Sequence, residues 1–172
     1  MKYLNRILSL LILVSATLVL TNCGGDDDAP SKSEQQTQFE KLKFTWTLQS
    51  VTATGDAASA AGQFDDGTLI ISGNFTDNND FAYSLSTPDV TASPWPGAGD
   101  LKFGTPVSST LIRRDSKLNY TPALPDITMT YQLTNSDKTL TITLNDYSSE
   151  IFNPSGRVAS VEGNWVFVFT RP

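Results

Sequence analysis

Among the residue types that carry most enzyme chemistry, this chain of 172 residues has one cysteine, Cys23, and no histidine. Without an imidazole there is no Ser/His/Asp or Cys/His triad, no His-based zinc site and no general base whose ordinary pKa lies near neutrality. Cys23 lies on a flexible stretch and is accounted for by the anchor read below, so a nucleophilic thiol is not expected. Carboxylates number 18, and a facing pair suffices to hydrolyse a glycoside. Their placement points to turns instead. Asp65-Asp66 precede Gly67, Asp77-Asn78-Asn79-Asp80 separates two apolar runs, and Asp115, Asp126, Asp137 and Asp146 stand at the ends of strand-like segments. In such places the short acid side chain bonds nearby backbone amides. Residues 77–80 offer oxygen ligands for calcium, but without the spaced ligands and closing Glu of an EF-hand loop. Gly97-Ala98-Gly99 follows Pro96 and reads as a loop, not a phosphate cradle. The expectation is a protein with no catalytic residues, no cofactor and no metal.

Binding chemistry is better represented. Trp95 is flanked by Pro94 and Pro96, which stiffen the segment and keep it out of central strands. Its indole has two readings: exposed, as a rigid platform for a sugar ring or a partner protein, or folded back as a plug. Arg113 and Arg114 are adjacent near a strand end, so they point to opposite faces. The inward one either meets a ligand carboxylate or phosphate, or pairs with an Asp at the rim. Tyr83 and Tyr120 complete the candidate ligand contacts with Trp95 and Arg113, and Phe81, Phe103 and Tyr131 are expected with them in the interior.

The segment holding Cys23 explains that residue. Lys2 and Arg6 precede an apolar run from Ile7 to Leu20, the charged-then-apolar layout of a secretory signal. At about 1.5 Å per helical residue the run reaches roughly 21 Å, short of the ~30 Å hydrocarbon layer. Leu20-Thr21-Asn22-Cys23 resembles the lipobox at which bacterial lipoproteins are cleaved and acylated, which implies residues 1–22 as signal peptide and a membrane anchor on Cys23. Two or three acyl chains hold a protein stably where one does not. Loss of Lys2 and Arg6 leaves ten basic residues against 18 acidic, a net charge of −8, which disfavours nucleic acid as a partner. Residues 23–40 are rich in Gly, Asp, Ser and Gln and read as a flexible acidic tether. Asp26-Asp27-Asp28 within it resembles the export tag of surface lipoproteins of the Bacteroidota. That resemblance implies the outer membrane and the cell surface; an acidic linker facing the periplasm is the alternative.

From residue 41 onward, short alternating segments separated by turn residues read as one all-β domain, residues 41–172. The clearest pair is DITMTYQLT, NSDK, TLTITLND. Ile127, Met129, Tyr131 and Leu133 share one face and Leu140, Ile142 and Leu144 one face of the next strand, with Thr and Gln opposite: a hairpin with one wet side. Further strands are expected over residues 43–51, 68–72, 81–86, 101–103, 110–114, 117–120 and 164–171, the last apolar on both faces. Short helical turns are expected near residues 37–42 and 56–62. Eight or nine strands in chain order suggest an antiparallel up-and-down meander closing into a small barrel, with a β-sandwich as the alternative.

Trp46 in the first strand, the meander, and Arg171 after the aromatic last strand resemble the lipocalin arrangement, in which an early Trp packs near an Arg from the end of the barrel. PWPGAGDLKFG and LIRRDSKLNYTP are similar to segments of lipocalin-like domains of Bacteroidota lipoproteins. Phe44 stands two residues before Trp46, where that pattern has Gly. The resemblance implies a non-enzymatic binding lipoprotein for a small apolar or amphiphilic molecule, a glycan or a protein. A sandwich-built glycan-binding module using Trp95 is the second reading, and a carboxylate-only hydrolase the third.

Overall fold

The computed structural model describes residues 32–75, 80–87, 93–119, 123–148 and 161–172. Eight strands follow in chain order: β1 Thr45–Ala53, β2 Thr68–Ser72, β3 Asp80–Ser86, β4 Ala98–Phe103, β5 Thr110–Arg113, β6 Ile127–Thr134, β7 Thr139–Tyr147 and β8 Gly163–Thr170. Each pairs antiparallel with the next, and β8 returns to β1, so the meander closes into a barrel with no free edge. Closure removes the sandwich alternative. The fold is the lipocalin-like, all-β barrel expected from the alternation of side chains.

Period-two patterning sends one face of every strand inward. Trp46 and Leu48, Leu69 and Ile71, Phe81 and Tyr83, Leu101 and Phe103, Met129 and Tyr131, and Leu140, Ile142 and Leu144 are all buried. An eight-stranded barrel is just wide enough for such side chains to fill. In β8, Trp165, Phe167 and Phe169 stack one above the next, with centroids 5.8 and 6.2 Å apart, while Val166 and Val168 on the other face are half-buried. Irregular register between Leu48 and Ser50, and between Leu144 and Tyr147, gives the local twist that closure demands.

Both ends of the barrel are covered. The end holding the β6–β7 turn is covered by helix α1, Glu34–Leu42, whose first turn is capped by the Ser33 hydroxyl. Phe39 and Leu42 are buried, and Phe39 packs on Phe81 with centroids 5.2 Å apart. The tether expected over residues 23–40 is therefore helical from Glu34, and the compact unit begins at Ser33, not residue 41. Two well-placed apolar side chains and one cap outweigh the low apolar content of EQQTQ. The Trp46 indole N–H donates to the Leu42 carbonyl at 2.8 Å, tying α1 to β1. Across the other end run a 3-10 turn, Gly55–Ala57, and the short helix α2, Ala58–Ala61. Phe64 beyond them meets Trp165 and Phe167 edge-on. Gly163 has φ +137°, and a Cβ there would lie 2.0 Å from the Thr54 carbonyl oxygen, so only glycine lets this cover close.

Two expected elements differ. Strand β4 starts at Ala98 rather than residue 101, so Ala98-Gly99 are strand, not loop. Gly99 faces Tyr83 across the ladder, and the tyrosine ring occupies the space a side chain would need. The strand expected over residues 117–120 is replaced by a 3-10 turn, Asp115–Lys117. Tyr120, at the end of that segment, lies outside the described residues.

Candidate functional site

Two of the regions that gather polar side chains bear on a site. One is the barrel end beneath Trp95. Arg113, the last residue of β5, follows the inward alternation from Leu111 and is fully buried. Its Nε and Nη2 donate to the two carboxylate oxygens of Asp115 at 2.8 and 2.7 Å, and Nη1 donates to the Pro94 carbonyl at 2.8 Å. Burial disfavours the guanidinium charge, but the hydrogen bonds and charge of Asp115 more than offset it and raise the Arg113 pKa. Of the two readings of an inward arginine, the rim aspartate is the one realised. Arg114 turns to Asp126, 3.2 Å away, on the outer rim.

The bond to Pro94 fixes the proline-flanked segment. Trp95 is 4% exposed and inserted into the barrel, edge-on to Tyr83 at 5.3 Å and to Phe167 at 6.0 Å, with the Arg113 guanidinium 5.5 Å from its ring centre. The exposed-platform reading of Trp95 is thus overturned in favour of the plug. Proline stiffening keeps the segment out of the sheet, as expected, but the indole gains more from covering the aromatic column than from facing water. Tyr83 is buried beside it, and Tyr147, at the end of β7, holds its ring 6.0 Å from the guanidinium. Burial raises the Tyr147 pKa; Arg113 opposes this and Asp115 reinforces it. Three of the candidate contacts, Tyr83, Trp95 and Arg113, therefore meet at one place, serving the closure of the barrel.

At the opposite end the Arg171 guanidinium lies 3.5 Å from the Phe44 ring centre and 5.3 Å from that of Trp46. The pair that the lipocalin resemblance expects to meet does meet. Phe44, in the position of the missing glycine, takes the near face of the arginine as a cation–π partner. Arg171 Nε also donates to the Asp137 carbonyl, joining the barrel end to the β6–β7 turn.

The second region is an open groove of about 490 Å³ on the outer wall. Its floor is the wet face of the β6–β7 hairpin, Thr130, Gln132, Thr141 and Thr143; one bank is α1 with Gln38 and Lys41, the other the β4–β5 connection with Ser108 and Ser109. The turn that closes the hairpin, 135–138, places Asn135, Ser136 and Asp137 at positive φ, and Asp137 meets Lys41 at 3.3 Å. Tyr131 is rooted beneath, its hydroxyl donating to the Val107 carbonyl at 2.7 Å, and burial, then the Glu34 charge, raises its pKa. The threonine face was legible as a wet side; the banks were not, because they come from segments more than twenty residues away in the chain.

Cys23 and Asp77 to Asn79 fall outside the described residues. Among the described residues no group of three or more Cys, His, Asp or Glu side chains is placed to hold a metal. In comparisons with known proteins, no family model, no curated protein and no solved structure matches the chain.

Proposed function

We propose that the chain is a non-enzymatic binding protein of lipocalin-like type, anchored to the outer membrane through acylated Cys23, with the acidic run Asp26-Asp27-Asp28 favouring the cell surface. The observation that carries the binding role is the division of the barrel. Its axis is crowded with the protein's own aromatic rings, whereas its outer wall carries a groove of about 490 Å³, within the range of ~300–1,000 Å³ usual for small-ligand sites. This division favours a ligand on the wall, since a ligand inside would have to displace Trp95.

Thermal unfolding of the acylated mature chain in detergent micelles, with lipids, glycans and peptides added in turn, tests the reading. A true ligand at a hundred times its Kd adds about 2.7 kcal/mol, a rise of roughly 5–10 °C in Tm for a domain of this size. Turnover of any added substrate by the purified chain overturns the non-enzymatic reading. For the anchor, label from a palmitate analogue is expected on the wild-type chain and absent from Cys23→Ala; label retained in that variant places the lipid elsewhere.

A further inference from the structure

We propose that the groove on the β6–β7 wall is a binding site for a neutral oligosaccharide; the inference rests on the binding role above and gives it a ligand class and an address. The groove's chemistry excludes other classes by what lines it. A purely apolar ligand needs a mostly apolar lining, and here Leu133 and Tyr131 share the surface about equally with three threonines, two glutamines and two serines, a mixture suited to a ligand that is itself part hydroxyl and part C–H face. An anion needs a cluster of Arg or Lys or a nest of free backbone N–H groups; the lining holds one cation, Lys41, already 3.3 Å from Asp137. That pair cancels its own charge, so neither a phosphate nor an ammonium group finds a partner.

What remains is a dense set of uncharged donors and acceptors. Thr130 faces Thr143 and Gln132 faces Thr141 across the ladder, so four outward side chains form a two-by-two array. Directly opposed side chains stand about 4.5–5.5 Å apart and those along a strand roughly 7 Å, the scale of one sugar ring. Each threonine presents a hydroxyl for ligand hydroxyls and a methyl for C–H faces. β-Branching restricts their rotamers, and barrel closure fixes the strands, so these groups are ordered before the ligand arrives. Among the described residues the fold makes no side-chain hydrogen bond of its own with Thr130, Gln132, Thr141 or Thr143.

The test is electrophoresis of the acylated mature chain through native gels, each containing detergent and one soluble polysaccharide: dextran, xyloglucan, galactomannan or starch, with polygalacturonate as the acidic comparison. Retardation by at least one neutral polymer is expected. The triple variant Thr130→Val, Thr141→Val, Thr143→Val keeps shape and branching and removes only hydroxyls, so its affinity should fall at least tenfold. Serine at the same three positions should restore most of it.

Equal retardation of the valine triple variant, preference for polygalacturonate, or no retardation by any neutral polymer each overturns the inference. The binding role falls separately. A ligand of another class that raises Tm equally in wild type and the valine variant removes the groove and leaves the protein a binder. If no added compound raises Tm, the binding role itself is overturned.

Discussion

The barrel end at Trp95 and the groove on the β6–β7 wall are both rich in polar groups, and they use them in opposite ways. At the barrel end, Arg113 has its donors taken up by Asp115 and Pro94 and stands beside aromatic faces. The cluster is buried and directed at itself. In the groove, hydroxyls and amides project from a closed sheet toward solvent; among the described residues Lys41 pairs with Asp137, and the Tyr131 hydroxyl reaches Gln38 Oε1 at 3.4 Å. A side chain that looks functional by type, an inward arginine or a proline-held tryptophan, is here structural. Threonines that look like an ordinary wet face have the free valences that a ligand can use.

The sharpest way to break this contrast is to unpair Arg113. Asp115→Asn leaves a guanidinium at 0% exposure without its countercharge, and breaking such a pair costs about 3–5 kcal/mol. The total stability of a domain is ~5–15 kcal/mol, so the urea midpoint should fall steeply. Arg113→Met combined with Asp115→Leu removes both charges and should recover most of the loss, since apolar replacement of a buried pair is often nearly neutral. If Asp115→Asn unfolds no more easily than wild type, the barrel end is solvated and the contrast fails. Next in size is Trp95→Ala. It empties the space against Tyr83 and Phe167 and should cost about 3 kcal/mol by urea denaturation, while leaving binding in the groove unchanged. Loss of ligand at full folding would move the site to the barrel end.

The same contrast explains what was legible in the sequence. The hairpin from Ile127 to Leu144 follows from alternation alone, because burial on one side of a strand imposes period two; β8, apolar on both faces, was legible as a strand but not as to which face turns inward. Arg113 facing inward follows from Leu111 two residues earlier. Its partner Asp115 lies beyond the strand end, where alternation no longer applies, and the Arg113–Asp115 bond itself favours the 3-10 turn over the strand that Leu118 and Tyr120 suggest. Helix α1 was half legible: a helical turn was expected over residues 37–42, but its start at Glu34 and its role were not, because Phe39 and Leu42 matter only once there is a barrel end for them to cover. The groove was half legible. Its floor is local and periodic, but Lys41 and Ser108 reach it through tertiary packing that no local pattern encodes.

A smaller effect separates the two regions by pH. The Tyr147 pKa is raised at the barrel end, chiefly by burial, so the folded state keeps this proton at pH values where the unfolded chain, ordinary near 10, releases it. Stability is therefore unaffected below about pH 9 and falls as pH rises above 10, by up to about 1.4 kcal/mol for each pH unit. Tyr131 adds a second contribution of the same sign. Urea midpoints taken between pH 8 and 11.5 should slope downward, and Tyr147→Phe should shallow the slope. An unchanged slope in that variant would mean Tyr147 ionises as freely when folded as when unfolded, which a buried cluster forbids.

The smallest expected change is in stability at the groove. Thr130, Thr141 and Thr143 point away from the core, and valine keeps the branching that suits a strand. Each Thr→Val substitution should shift stability by no more than about 0.5 kcal/mol, read as a urea midpoint close to that of wild type. The near-silence matters because the same substitutions are expected to cost the ligand tenfold, so affinity and stability separate cleanly on this wall. A loss above about 1.5 kcal/mol for any one of them would mean its hydroxyl is an acceptor or donor that the fold needs. The groove would then be structural like the barrel end, and the distinction between the two regions would collapse.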